Sequence, residues 1–332
     1  MAGLDVGTSY IVLAKDNNGN IEYKDFRDAF YIIKPSSPVA TKMIEKGLSG
    51  KVFIKDNDGS FILLGKDAIE KAIERNDTAK RPMYRGVVSA KEKDAKRVLA
   101  FILQEVVGQS SEPGQKLVYC VPAQPVDQED EDFDIGYHED VIKTILQEVG
   151  YDARSINEAE ALCYAELDTN DYTGIGISCG AGMTNICVML NGEPTVVFST
   201  TKSGDWVDRM SAVATGEPDS VIQAEKEAGG FKIGEPNDSP ILAAVSAYYE
   251  RLIDYTTKQL SSALTGHKML PKFKDPLTIV IAGGTSQANG YIEQFTKKLS
   301  DNNFPLAIKE IRHANDPLHA VAKGCLIASQ IL

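Results

Sequence analysis

The chain has 332 residues, 43% hydrophobic and 25% charged, with a formal net charge of −12. That length accommodates two ordinary domains with cores of their own. The carboxylate excess excludes general nucleic-acid binding and docking on an anionic membrane, both of which need clustered lysine and arginine, and no apolar run reaches the roughly 18–20 residues of a membrane span.

The first residues lack the basic segment and long apolar stretch of a signal peptide. Residues 3–6 read instead as a short buried strand, Gly7, Thr8 and Ser9 as a tight turn, and residues 10–14 as a second strand. Asn17, Asn18, Gly19 and Asn20 form a hairpin turn into a third strand that opens at Ile21. Residues 30–87 mix strand-like runs with Pro, Gly and Lys and are expected to be an insert. Val98, Leu99, Ile102, Leu103 and Val106 recur at helical spacing and predict a helix over 90–107. An apolar strand over 117–121 ends at Pro122, and the acidic run 127–134 is expected to be a solvated loop. A helix over 140–149 stops at Gly150, and a second over 156–167 joins the two halves.

From there the opening grammar returns. Residues 174–178 read as a strand, Gly180, Ala181 and Gly182 as a glycine turn, 184–190 as a strand, Asn191 and Gly192 as a hairpin, and 195–199 as a third strand. The matching order and turn chemistry point to a duplicated domain. A mostly helical insert is expected over 214–273, with one long helix or a pair over 239–264; its basic residues Lys268, Lys272 and Lys274 read as a solvated loop. A strand over 278–282, a turn at Gly283 and Gly284, a helix over 289–299 and a closing helix over 317–332 complete the chain. Cys120, Cys163, Cys179, Cys187 and Cys325 include no C-x-x-C pair and lie in apolar segments, so buried reduced thiols and a cytoplasmic setting are expected.

A nucleoside triphosphate needs backbone N–H groups aimed at its phosphates and a cation to offset their charge. Small-residue turns allow that approach because no side chain stands in the way. The turns at Gly7, Thr8 and Ser9, at Gly180, Ala181, Gly182, Met183 and Thr184, and at Gly283, Gly284 and Thr285 provide three such places. Neither a G-x-x-x-x-G-K-[ST] loop nor a G-x-G-x-x-G after a strand is present.

These segments carry a resemblance. Residues 3–9 (GLDVGTS) are similar to the first phosphate motif of the actin-like ATPase superfamily, which includes actin, the heat-shock chaperones and MreB. Residues 180–185 resemble its second phosphate motif, 281–286 its adenosine motif, and 157–161 and 316–324 its two connecting helices. The five occur in the family's order across nearly the whole chain. Residues 81–88 and 204–208 resemble MreB- and MamK-type bacterial actins in particular, and little chain follows the second connecting helix for a chaperone's peptide-binding domain. The resemblance implies an α/β fold of duplicated ribonuclease-H-like domains, residues 1–157 and 158–332, around a nucleotide cleft, with the C-terminal helix packing back on the first half.

It further implies that ATP or GTP and Mg²⁺ occupy the cleft, that Asp5 orients the cation through water, and that Glu158, with Glu160 as the alternative, positions the attacking water. Glu227 falls where the family contacts the ribose, although Glu225, Lys226 and Glu227 leave the register open; Trp206 reads as packing. Relatives carry Asp where this chain has Ser178, and usually where it has Asn185. Ser178 is therefore a weak metal ligand at best, and slow hydrolysis is expected. The implied activity is a filament-forming, nucleotide-gated actin homologue that associates head-to-tail with itself and with an adaptor or cargo protein. The alternatives are a monomeric chaperone-like ATPase switch and a small-molecule kinase of the same fold.

Overall fold

The structure, a computed structural model, describes residues 1–128, 133–266, 270–302 and 304–332. The centre of the acidic run and Lys268 lie outside the described residues. The chain opens with β1 (Ala2–Val6), β2 (Tyr10–Asn17) and β3 (Asn20–Arg27). Asn18 and Gly19, at φ 55° and 89°, make the left-handed two-residue hairpin that the Asn-Gly pair predicts. The insert follows: β4 (Phe30–Ile33), α1 (Pro38–Gly47), β5 (Phe53–Lys55), β6 (Phe61–Leu64), α2 (Lys66–Glu74), β7 (Met83–Tyr84) and β8 (Val87–Val88). Its small antiparallel sheet, in the order β4-β6-β5, has a core of its own around Ile33, Leu48, Phe61 and Leu63.

The chain then returns through α3 (Ala95–Val107), β9 (Gln115–Val121), α4 (Ile135–Glu148) and β10 (Tyr151–Asn157). α4 starts earlier than periodicity predicts, because Asp134, inside the acidic run, caps it by accepting the Tyr137 N–H at 2.9 Å. The helix expected from Ile156 is corrected: Ile156 and Asn157 belong to β10, which pairs parallel with β9 from Tyr151↔Gln115 to Asn157↔Val121. α5 (Glu158–Glu166) begins only where the Asn157 side chain caps the N–H groups of Ala159 and Glu160.

The remaining elements are β11 (Gly174–Cys179), β12 (Thr184–Leu190), β13 (Glu193–Thr200), α6 (Gly204–Thr215), α7 (Asp219–Ala228), α8 (Pro240–Gly266), β14 (Leu277–Ala282), α9 (Tyr291–Asp301), β15 (Ile308–His313) and α10 (Ala320–Ile331). The span expected as one long helix or a pair is thus one continuous helix, Pro240–Gly266, and β15 is a strand that no sequence signal announced.

Duplication is explicit in the sheets. The first runs β3-β2-β1-β9-β10 and the second β13-β12-β11-β14-β15. In both, the first three strands are antiparallel and the last two join in parallel. Register makes Asp5, opposite Val12, the counterpart of Ser178, opposite Asn185. Each sheet is covered on one face by a helix that the duplication exchanges: α5 lies on β11 and β12, and α10 on β1, β2 and β9. The two helices pack on each other through Ala159, Ala161, Val321 and Cys325. Contact is backbone to backbone, since a Cβ on Gly324 would lie 1.7 Å from the Ala161 carbonyl oxygen and one on Gly3 2.1 Å from the Leu326 nitrogen. All five cysteines are buried free thiols. Among the described residues no helix is long and apolar enough to cross a membrane.

Gly324→Ala must push these helices apart. It is expected to lower stability by at least about 1–3 kcal/mol, the usual cost of overpacking a core, seen as a reduced urea midpoint; an unchanged midpoint would show that the crossing can give way.

Candidate functional site

The turns after β1 and β11 have the same geometry. The Gly7 N–H donates to the Tyr10 carbonyl and the Gly180 N–H to the Met183 carbonyl, each at 3.0 Å. They face each other so closely that a Cβ on Gly182 would stand 2.5 Å from Thr8 Oγ1. Gly86, in the hairpin of β7 and β8, seals the junction by donating its N–H to Thr8 Oγ1 at 3.0 Å. The third turn arrives from β14: Gly283, at φ 90°, lies against the Cys179 backbone, and Thr285 Oγ1 donates to the Gly180 carbonyl at 2.7 Å. Together they wall a cleft of about 940 Å³ between the two sheets.

Two carboxylates reach its floor from the strand ends. Asp5 comes from β1, and the Cys120 thiol donates to its Oδ1 at 3.1 Å. Glu158 opens α5 and is gripped at both oxygens: Ser178 Oγ donates to Oε1 at 2.6 Å and Asn185 Nδ2 to Oε2 at 2.9 Å. Asn185 is itself fixed, its Oδ1 accepting the Ala123 N–H at 2.9 Å. Burial raises both acids above the ordinary carboxylate range. The Asp5 charge raises Glu158 further while the Ser178 hydroxyl partly opposes it, as the Cys120 thiol does for Asp5.

Of the residues expected from sequence, Asp5, Gly7, Thr8, Ser9, Glu158, Ser178, Gly180, Ala181, Gly182, Met183, Glu227, Gly283, Gly284 and Thr285 all line this cleft. Thr184 does not: its buried hydroxyl is spent on the Lys202 carbonyl and Ser203 Oγ. Glu160 also turns elsewhere, accepting from the Tyr164 hydroxyl at 2.9 Å, which leaves Glu158 as the acid at the cleft. The Ser178 hydroxyl is directed at Glu158 rather than held open for a cation. Among the described residues no cluster of three or more His, Cys, Asp or Glu is arranged to hold a metal. Trp206 packs edge-on against Tyr248. Arg27 and Gln223 also line the cleft; an isolated Arg at a strand end and a Gln on a polar helix carry no sequence signal.

Residues 1–329 match the Volactin family. The chain belongs to that family. No curated protein matches it in sequence. In structure it is similar to a MamK double helical filament at TM-score 0.73 and 18% identity, over 100% of this chain and 98% of that one. It is similar to MreB5 of Spiroplasma citri bound to AMPPNP at TM-score 0.67 and 14% identity, over 99% and 96% of the two chains. It also resembles the ethanolamine utilization protein EutJ from Carboxydothermus hydrogenoformans at TM-score 0.53 and 16% identity, over 98% and 88%. The fold of this family member is accordingly actin-like and close to that of MamK and MreB.

The raised Glu158 has a consequence for the ligand-free protein. A group whose folded pKa exceeds its unfolded value contributes stability that is complete below the unfolded value and is lost as pH rises through the folded one. The melting temperature is therefore expected to fall from the ordinary glutamate range, 4.5, upward through the raised value, and Glu158→Gln to flatten that slope. Parallel slopes for the two proteins in thermal scans across pH would refute the assignment.

Proposed function

We propose that the protein binds a nucleoside triphosphate, ATP or GTP, with Mg²⁺ in the cleft between residues 1–157 and 158–332, and that it assembles head-to-tail into filaments gated by that nucleotide. The observation that carries the proposal is the convergence of the glycine turns from both halves on one cleft, with Thr8 against Gly182 and Thr285 against Gly180. Their backbones suit the approach of phosphate oxygens, because small residues leave the main-chain N–H groups uncovered, and at Gly182 a Cβ would stand 2.5 Å from Thr8 Oγ1. Bound Mg²⁺ would supply charge neutralisation beside Asp5, whose buried carboxylate is otherwise poorly compensated.

Phosphoryl transfer to water is mainly a matter of positioning and electrostatics. Glu158 supplies the positioning: two neutral donors hold its carboxylate in one orientation at the cleft floor. Ser178 occupies the place in the second half that Asp5 fills in the first, and its hydroxyl adds no negative charge to a cation's surroundings. Nucleotide binding is therefore favoured over fast turnover. Likeness to a MamK filament supports assembly, and one head-to-tail contact, repeated without closure, grows an open filament. A cytoplasmic setting and an adaptor or cargo partner belong to the same proposal.

Calorimetry with Mg²⁺ should show binding of ATP or GTP to the monomer, and sedimentation with electron microscopy should show nucleotide-dependent polymers. The absence of heat with every adenine and guanine nucleotide would overturn the cleft assignment; monomers under all nucleotide and salt conditions would overturn assembly alone. Ser178→Asp is expected to accelerate single-turnover phosphate release, and to destabilise the protein when Mg²⁺ is absent, because a third carboxylate then faces Glu158 and Asp5. Release at an unchanged rate would mean that Ser178 does not limit turnover.

A further inference from the structure

A network of charged residues outside the phosphate turns joins the two halves across the cleft mouth. Arg81, at the end of the first insert, sends Nη1 to both oxygens of Asp205 on α6, each at 2.9 Å, and brings Nη2 to 3.4 Å from Gln223 Oε1 on α7. Arg27, at the end of β3, lies over the Tyr10 ring and donates to Glu227 on α7 at 3.0 Å. Gln223 Nε2 also donates to Glu227 at 2.7 Å, so α7 is held by both arginines. Asp205, Gln223, Lys226 and Glu227 at the same time form part of the cleft wall.

Beside this clasp lies a poorly compensated group. Asp28 is 1% exposed and no side chain donates a hydrogen bond to either carboxylate oxygen; burial raises it well above the usual carboxylate range, opposed only in part by the Arg81 charge, the Met83 backbone and the Arg27 charge. The paired backbone bonds between Phe30 and Lys80 bring the chain on either side, with Asp28 and Arg81, alongside one another in the first half. The charge of Arg81 acts on Asp28 as well as on Asp205. A buried carboxylate without a side-chain donor is costly, and moving a guanidinium onto it removes that cost.

We propose that Arg81 exchanges Asp205 for Asp28 when the cleft opens, so that this pair of acids sets how long a ligand stays between the halves. With the cleft shut, Arg81 grips α6 and Asp28 goes without a side-chain donor; as α6 and α7 withdraw, Arg81 is left with Asp28, the carboxylate of its own half. Each arrangement satisfies one acid and deprives the other, which makes the element two-state. Arg81 and Asp28 act here as positioning residues, through the wall formed by Asp205 and Gln223. The residence-time part rests on the nucleotide proposal; the exchange itself does not.

The decisive experiment combines stopped-flow release of a fluorescent ATP analogue with small-angle scattering of the ligand-free protein. Asp28→Asn keeps the side-chain shape and removes the carboxylate that would pair with Arg81 in the open state. It is expected to compact the free protein and to slow release by at least about fivefold, the factor at the low end of a typical coupling. Asp205→Asn keeps the side-chain shape but weakens the closed-state pair, and should do the opposite on both measures. In an Arg81→Gln background, Asp28→Asn should change neither. Release and dimensions unaltered by Asp28→Asn in a protein that binds the analogue would overturn the exchange, as would an Asp28→Asn effect of full size without Arg81. If the wild type binds no analogue while Asp28→Asn still compacts it in an Arg81-dependent manner, the exchange holds and the nucleotide proposal falls.

Discussion

The contact on which the rest of the structure depends is the one between α5 and α10, where Gly324 lies directly on the Ala161 backbone. α5, which follows the last strand of the first sheet, lies on the second sheet, and α10, which follows the last strand of the second, lies on the first. Because no side chain separates them, the distance between the sheets is set by main-chain radii. The glycine turns at the strand ends inherit that spacing, which brings Thr8 within reach of Gly182. Gly3 and Gly176 serve the same purpose on the two sheets: the first lets α10 approach β1, the second lets α5 approach β11.

Most of this was legible where chemistry is local. An Asn-Gly pair announces a left-handed turn whatever surrounds it, and both hairpins formed as expected, Asn191 and Gly192 repeating the angles of Asn18 and Gly19. Apolar strands buried on both faces, such as β11 and β14, also declare themselves. The parallel edge strands did not. β10 and β15 carry Asp152, Arg154, Lys309 and Glu310 on half-exposed backbones, so pairing with β9 and β14, rather than composition, makes them strands. Asp134 was hidden for a different reason: a capping carboxylate inside an acidic run resembles its neighbours until a helix follows it.

The cleft shows the same division. Glycine turns could be located because their function is in the backbone, whereas the duties of polar side chains depended on which way they turned. Glu158 and Glu160 are the same residue type two positions apart, and only the start of α5 decides which faces the cleft. Ser178 had been marked by what it lacks; its hydroxyl proves to be a clamp on Glu158, shared with Asn185. A pair of neutral donors in place of acids changes the electrostatics of the floor, since Glu158 can then ionise beside Asp5 with fewer negative neighbours.

The exchange of covering helices also bears on how the chain reaches its native state. β1 (Ala2–Val6) is synthesised long before α10 (Ala320–Ile331), the helix that shields it. Until that segment emerges, Val12 and Ala14 have an uncovered face, and the first sheet is an unfinished layer with apolar surface open to whatever else is present. Such far-separated closure is slow and exposes the nascent protein to misassembly. The topologically decisive contact of the two sheets' helices therefore forms late, a property of the architecture that is independent of anything the cleft may bind.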